Sequence, residues 1–305
     1  MIGIKSILYP FDLPQRANEA LLYATAMALS YDAKLYLVNC VESLSCVTTE
    51  ERRNIESLID DKVERCLRFG NTREIEWEGL IREGEAAEQI SRIAAEKRVE
   101  LIVMQSRRRP LAATLLGSTA EAVCRSAPCP VLVTHEAERD WVGPGANRID
   151  LKRVLVAYDF SDDAEIALRY ALSFAERHNA EIHMLHVLPP RHMFSGRTSV
   201  ELPVALETDF RETVRRLSGA VPPAPRRMTN VKTSVCEGHP YREVLSYAID
   251  YQIDLISMGA HGAGHGVNAL FGSNSDRVLR QAPCPVLIAR PLRPAAVSAA
   301  NCSAD

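Results

Sequence analysis

The sequence predicts an α/β protein of two tandem, doubly wound domains, each with a five-stranded, mostly parallel sheet. The first supporting observation is an internal duplication: Ala127–Leu132 reads Ala-Pro-Cys-Pro-Val-Leu, and the same run recurs at Ala282–Leu287. The second is that each half alternates short apolar runs with segments whose apolar residues have helical spacing. Strands and helices that alternate in this way form a mostly parallel sheet covered by helices on both faces.

The predicted elements follow the same order in both halves. In the first half they are a strand ending at Asp12, a helix over 17–28, a strand over 34–40, a helix at about 50–69, a strand at about 73–80, a helix and a strand after Gly84, and a closing helix and strand ending at Thr134. In the second half they are a strand ending at Asp159, a helix over 164–175, a strand over 181–187, a helix at about 205–218, a strand at about 230–236, a helix and a strand after Gly238, and a closing helix and strand ending at Ala289.

The two copies set the expected domain boundaries. We expect domains over 1–137 and 151–291, joined by a linker over 138–150 and followed by a disordered tail over 292–305. The linker contains Gly143-Pro144-Gly145, which breaks any regular element. The tail is rich in Ala, Ser and Pro, a composition that builds no packed core.

Composition limits the classes of function. A chain of 305 residues is long enough for two ordinary domains, and its net charge of −3 gives no bulk attraction to nucleic acid or to an anionic membrane. No apolar run approaches the roughly 20 residues that a membrane-spanning helix needs. The first residues run into a strand pattern without the features of a signal peptide. These observations favour a cytoplasmic protein.

The eight cysteines form no Cys-x-x-Cys pair, and several lie in or beside apolar strand patterns. A free thiol in such a position behaves as a small hydrophobic side chain. We therefore expect buried, reduced thiols, not a disulfide framework or a metal site.

A glycine-rich run in the second half predicts an anion site. Ile253–Met258 has the pattern of a buried strand and is followed by Gly259 and Gly262, and then by Gly272-Ser273 at the predicted start of a helix. Glycine lets the backbone approach an anion, and a helix N-terminus offers unpaired N–H groups. Ligands of doubly wound sheets bind beyond the carboxyl ends of the strands. We therefore expect Asp159 and this loop to lie on the same rim of the sheet.

With these residues in place, the chain resembles the universal stress proteins, in a tandem form with two such domains. The second half carries the family's nucleotide signature, Gly-two-any-Gly-nine-any-Gly-Ser, at Gly259, Gly262, Gly272 and Ser273. The resemblance also covers the Asp after the first strand, the His-Val that ends the second strand, and the Cys-Pro-Val-Leu strand.

The resemblance implies an ATP site, or an AMP or ADP site, with Mg²⁺ left open. It implies that Asp159 bonds the adenine or ribose, that the Val187 backbone reads the adenine edge, that Gly259 and Gly262 let the chain wrap the ribose and phosphates, and that Gly272, Ser273 and Asn274 hold the phosphates. It also implies that the closing strands 130–134 and 285–289 pair within the chain as a pseudo-dimer, and a homodimer of two chains stays open.

Two residues of this candidate site have alternatives that the sequence leaves open. Asp159 could also cap the helix that begins near Asp162, and a cap and a nucleotide contact can coexist. His261 lies inside the glycine run, where it could contact phosphates or, together with His265, bind zinc.

The first half departs from the nucleotide signature. Gln105 and Arg108 stand where the second half has its two approach glycines, although Asp12 and Gly117-Ser118 remain. Bulky side chains obstruct the close backbone approach that glycine permits, so we expect no ATP site in this half. Replacing Arg108 alone with glycine should not create one. Arg107–Arg109 could bind another anion or an acidic partner, or could form a solvated loop.

The sequence favours holding a nucleotide over consuming it. It contains no Gly-x-x-x-x-Gly-Lys-[Ser/Thr] motif, and no lysine lies beside the phosphate glycines. No catalytic residue and no metal ligand are therefore predicted, and the leading interpretation is an ATP-binding regulatory protein of the stress response. One alternative is a slow ATPase or autophosphorylating enzyme that uses Ser273 or a loop histidine. The other is a partner-binding scaffold with a vestigial nucleotide site.

Overall fold

A computed structural model describes most of the chain. The described residues are 2–11, 19–41, 53, 57, 75–106, 117–135, 141–143, 149–190, 202–222, 230–262 and 271–292, with the backbone alone described over 202–209. The helix predicted at about 50–69 lies outside this part except at positions 53 and 57. The predicted tail lies outside it from residue 293 onward.

The described elements follow the predicted order. In the first half they are β1 (Ser6–Pro10), α1 (Glu19–Tyr31), β2 (Lys34–Val41), β3 (Trp77–Glu83), α2 (Ala86–Glu96), β4 (Leu101–Gln105), α3 (Ser118–Ser126) and β5 (Val131–Thr134). In the second half they are β6 (Arg153–Ala157), α4 (Asp162–His178), β7 (Glu181–Leu188), α5 (Leu202–Ala220), β8 (Val231–Glu237), α6 (Pro240–Asp250), β9 (Leu255–Gly259), α7 (Ser273–Gln281) and β10 (Val286–Ala289).

All ten strands form a single sheet with the order β3-β2-β1-β4-β5-β10-β9-β6-β7-β8. Each half contributes five parallel strands in the doubly wound order, which confirms the predicted fold class. The halves meet where β5 and β10 pair antiparallel, with Leu132 opposite Leu287. The predicted pairing of the closing strands within one chain is therefore present.

The strands are apolar on both faces because helices cover both sides of the sheet. In β1, Ile7 and Tyr9 pack into the core under α1 and α4, whereas Leu8 packs into the core on the opposite face, which includes residues of α2, α3, α6 and α7. This alternation follows from the two-residue period of side chains along a strand. Each core runs through both halves of the chain.

The described part of the linker packs against the first half. Trp141 is buried, and its ring meets the Tyr23 ring of α1 edge-on at a centroid distance of 4.7 Å. Val142 and Ile149, on either side of the Gly143-Pro144-Gly145 sequence, form an antiparallel bridge. The linker therefore contributes to the core that the two halves share.

No disulfide joins the described cysteines, Cys40, Cys124, Cys129, Cys236 and Cys284. Cys124, Cys129 and Cys284 are buried. Burial raises the pKa of both Cys124 and Cys129 to about 12. Cys46, Cys66 and Cys302 lie outside the described residues.

None of the described helices combines the length and the apolar character needed to cross a membrane.

Candidate functional site

A cleft opens at the carboxyl ends of β6, β7 and β9, where the strand order of the second half reverses. Ligands of doubly wound sheets bind at this position. The cleft is open to solvent, and about 690 Å³ of space free of protein atoms lies within it and its mouth. Its walls include every residue predicted for the site: Asp159, Val187, Gly259, His261, Gly262, Gly272, Ser273 and Asn274.

Asp159 lies in the tight turn between β6 and α4. Its Oδ1 accepts hydrogen bonds from the Ser161 backbone N–H at 3.1 Å and from the Ser161 hydroxyl at 2.5 Å. Ser161 is the N-cap of α4, because its hydroxyl oxygen accepts from the Ala164 N–H at 3.2 Å. The proposal that Asp159 caps this helix is therefore wrong. Instead, Asp159 holds the capping serine in place.

The end of β7 is tied to the same turn. His186 Nδ1 donates to the carbonyl of Tyr158 at 2.7 Å, which agrees with a structural role for this histidine. The next residue, Val187, is half-buried on the cleft wall and pairs with Cys236 of β8. The Val187 backbone therefore lies at the rim of the cleft, at a fixed distance from the Asp159 turn.

Gly259 has a packing role that the sequence did not indicate. A Cβ atom at this position would lie 2.8 Å from Asp163 Cβ and 3.0 Å from the Ala164 backbone nitrogen. Both distances are too short for real contacts, so only glycine lets the end of β9 meet the first turn of α4. At Gly262, a Cβ atom would lie 2.8 Å from Asp159 Oδ2, which brings the glycine loop next to this carboxylate.

The start of α7 is fixed against the end of β9. Gly272 precedes the helix as its N-cap and donates its N–H to the Ala260 carbonyl at 2.9 Å. The Ser275 hydroxyl donates to the Gly259 carbonyl at 2.8 Å. Ser273 and Asn274 then form the first turn, where helix N–H groups have no partner within the helix and the helix dipole favours anions.

His261 is held by α4. Asp163 Oδ2 accepts from the His261 backbone N–H at 3.0 Å and pairs with its Nδ1 at 2.9 Å. Sequence analysis did not anticipate Asp163, because it lies 98 positions from His261 and only the fold brings them together. An acidic first turn of α4 was visible in the sequence, but helix capping explains such residues equally well.

One wall of the cleft was not predicted. The first turn of α6 contributes Pro240, Tyr241 and Val244, which give this side an apolar surface. The Arg277 guanidinium lies 4.7 Å from the centroid of the Tyr241 ring. A hydrogen bond from Arg242 lowers the pKa of the Tyr241 hydroxyl. The sequence offered one signal for this wall. A helix was predicted to follow Gly238, just as one was predicted to follow Gly84 in the first half.

The first half keeps the scaffold of the cleft. Asn39 donates to the Phe11 carbonyl at 2.8 Å, in the place where the second half uses His186. Gly117 is the N-cap of α3 and donates its N–H to the Ser106 hydroxyl oxygen at 3.2 Å. Gln105, the counterpart of Gly259, is the last residue of β4. Asp12 and Arg107–Arg109 lie outside the described residues.

Within the described ranges, no group of three or more His, Cys, Asp or Glu side chains is arranged to hold a metal ion. His183 faces away from the cleft, where it lies buried 3.0 Å from the Tyr247 hydroxyl. Burial also lowers the pKa of His183. His265 lies outside the described residues, so the zinc alternative stays untested.

Comparison with known proteins decides the family. The model of the universal stress protein family matches residues 3–135 and 150–290, one copy in each half. The chain belongs to this family. Its sheet order, its paired closing strands and its duplicated sequence are those of a tandem universal stress protein.

Individual relatives match one half or the whole chain. A universal stress protein of Thermus aquaticus is 33% identical over 139 residues, which cover 46% of this chain and 98% of the relative. One from Mycolicibacterium smegmatis is 28% identical over 306 residues, covering 93% of this chain and 97% of the relative. The second match shows that the tandem arrangement occurs in other universal stress proteins.

Solved structures share the fold of the full chain. A universal stress protein from Archaeoglobus fulgidus superposes with a TM-score of 0.65 at 21% identity and covers 94% of this chain and 96% of its own. A functionally unknown protein from Pseudomonas aeruginosa superposes with a TM-score of 0.69 at 19% identity and covers 95% of this chain and 93% of its own. At these identities the likeness concerns the fold.

Proposed function

We propose that this universal stress protein is an ATP-binding regulatory protein of the stress response, which holds one adenine nucleotide in the cleft of its second half. The observation that carries the proposal is that all the predicted contacts, from four separate chain segments, line one cleft. Proteins of this family often bind ATP. AMP and ADP fit the same chemistry with fewer phosphates.

The cleft offers a different chemical surface to each part of such a ligand. The Asp159 carboxylate can accept a hydrogen bond from a ribose hydroxyl, and the backbone of Val187 can read the adenine edge. Tyr241 and Val244 supply an apolar wall for the flat base. The first turn of α7, with Ser273 and Asn274, presents backbone N–H groups and the positive end of the helix dipole to the phosphates.

The same surface favours retention over turnover. No lysine lines the described part of the cleft to neutralise charge in a phosphoryl transfer. A site that binds substrate and transition state equally well does not accelerate the chemistry. Hydrolysis by this protein is therefore expected to be slow or undetectable.

The proposal includes the organisation and the place of the protein. The residues 1–137 and 151–291 act as two homologous domains, of which the second carries the nucleotide. The chain works as an intrachain pseudo-dimer through β5 and β10. We place it in the cytoplasm, since the described cysteines are free thiols.

The nucleotide carried by the purified protein tests this proposal. Denaturing the protein and analysing the released small molecules should yield ATP, AMP or ADP. Incubating the loaded protein for hours should leave bound ATP intact. Steady conversion to ADP would support the enzyme alternative, and absence of any nucleotide, even after ATP is added, would support the scaffold alternative.

A further inference from the structure

We propose that Asp163 is a positioning residue that fixes the His261 ring for contact with the phosphates of the bound nucleotide. This inference rests on the proposed function of the cleft. It adds a residue that lies outside the glycine signature and on a different element, the first turn of α4. It also assigns a role to the His261 ring. The position of His261 in the glycine run does not by itself show what this ring does.

The contact between the two residues is specific. A single carboxylate oxygen, Asp163 Oδ2, meets both the backbone N–H and the ring Nδ1 of His261, at 3.0 and 2.9 Å. The side chains are largely buried, with 13% of Asp163 and 25% of His261 exposed. Hydrogen bonds to a charged group are stronger than those between neutral groups, and partial burial strengthens them further.

The approach of α4 to the glycine loop is built into the sequence. The absence of a Cβ atom at Gly259 lets Asp163 come close, because that atom would lie 2.8 Å from Asp163 Cβ. Ser161 is the N-cap of α4, so Asp163 lies in the first turn of this helix. Gly259 therefore serves the site by admitting Asp163, in addition to any contact with the ligand.

The bond fixes which ring nitrogen can meet a ligand. An ionised carboxylate only accepts hydrogen bonds, so the proton of the pair lies on Nδ1 and points at Asp163. Nε2 is then the ring nitrogen left for a ligand, and His261 is one of the residues that line the cleft. The Cα atom of His261 lies 3.7 Å from the position of a Cβ atom on Gly272, next to the first turn of α7. His261 therefore stands beside the expected phosphate position.

The contact between Asp163 and His261 also affects the electrostatics of the cleft. Without the His261 ring beside it, the Asp163 carboxylate would repel nearby phosphates, because like charges at short range cost free energy. His261 covers this carboxylate and presents a nitrogen donor or acceptor in its place. Loss of His261 alone should therefore be worse than loss of both residues, since it leaves the Asp163 carboxylate facing the phosphates.

A purely structural role makes different predictions. If Asp163 only anchors the start of the loop through the His261 backbone N–H, its loss disturbs the whole cleft. Binding of adenosine, which has no phosphate, would then weaken as much as binding of ATP. A role in phosphate contact instead confines the loss to ligands that carry phosphates.

The test is calorimetric titration of nucleotide-stripped wild type, Asp163→Asn, His261→Ala and the double variant with ATP, AMP and adenosine. We expect Asp163→Asn to weaken ATP binding about tenfold, the scale of a lost charged hydrogen bond, with adenosine binding unchanged. We expect the double variant to bind ATP no more weakly than His261→Ala. The matched control is Asp162→Asn, which removes the same charge from the same turn at an exposed residue and should bind ATP like wild type.

Three outcomes would overturn the inference: wild-type ATP affinity in Asp163→Asn, equal losses for ATP and adenosine, or additive losses in the double variant. If Asp163→Asn does not fold, the ¹⁵N resonances of the wild-type His261 ring decide, because ATP should shift Nε2 and leave Nδ1 protonated. An Nε2 resonance that ATP does not shift would also reject the inference. Wild type that binds no nucleotide at all would reject the proposed function itself.

Discussion

Replacing Gly262 with valine is expected to weaken ATP binding by about a hundredfold or more while leaving the fold intact. A Cβ atom at this residue would lie 2.8 Å from Asp159 Oδ2, and the two methyl groups of valine extend further into the cleft. They would displace the carboxylate that we assign to the ribose and fill space beside it. The fold should survive, because among the described residues the only close neighbour is the end of a side chain.

A second glycine provides the control for this variant. Gly219, near the end of α5, has no atom of another described residue, its chain neighbours and own helix backbone aside, within 4 Å of its Cβ position. Gly219→Val therefore adds the same side chain where the described part of the chain leaves room. Both variants should keep the thermal midpoint of wild type within a few degrees, and only Gly262→Val should lose ATP in equilibrium dialysis. Wild-type affinity in folded Gly262→Val would show that the nucleotide binds elsewhere.

Replacing Arg290 with alanine is expected to destabilise the protein by about 3 kcal/mol, the scale for removing one partner from a buried charged network. Arg290 follows β10 and is buried, with 2% of its surface exposed. Its guanidinium donates to the carbonyls of Arg125 at 2.9 Å, Ala127 at 3.1 Å and Cys124. These carbonyls lie at the C-terminal end of α3. A residue of the second half therefore donates hydrogen bonds to the last carbonyl groups of a helix in the first half.

Urea unfolding followed by tryptophan fluorescence, to which buried Trp141 contributes together with Trp77, measures this effect. The control is Arg169→Ala, which removes an exposed arginine whose single ion pair with Glu165 spans 3.5 Å. Such surface pairs contribute little, so this control should unfold like wild type. Arg290→Lys should fall between the two, since lysine keeps the charge but lacks the fork of donors. An Arg290→Ala protein as stable as wild type would show that the halves do not depend on this contact.

The fold was predictable because each half carries strong, repeated patterns. Buried strands such as Leu255–Gly259 are apolar along their whole length, and the duplicated closing strands pointed to the seam where β5 meets β10. The third strand of the first half was less predictable. It begins at Trp77, not near 73, because as an edge strand it is only partly buried and its alternation is weak.

The residues of the site that belong to the sequence motif were predictable. The residues that reach the site only through contacts formed in the folded protein were not. The glycines, Asp159 and Ser273 were predicted from the glycine-rich run, the strand pattern and the family resemblance, and they line the cleft. The sequence left open that Asp159 caps α4, since Asp and Ser are both good N-cap residues and only geometry shows that Ser161 makes the bond. Asp163 could not be found, because its partner is distant in sequence.

The number of nucleotides that one chain binds tests the central claim most directly. Calorimetric titration of ATP into nucleotide-stripped wild-type protein should give one site per chain, and the same titration of Gly262→Val should give none. One site in the wild type that Gly262→Val abolishes would place the nucleotide in the second half, as the cleft predicts. Two sites per chain, or one site that survives in folded Gly262→Val, would contradict the account.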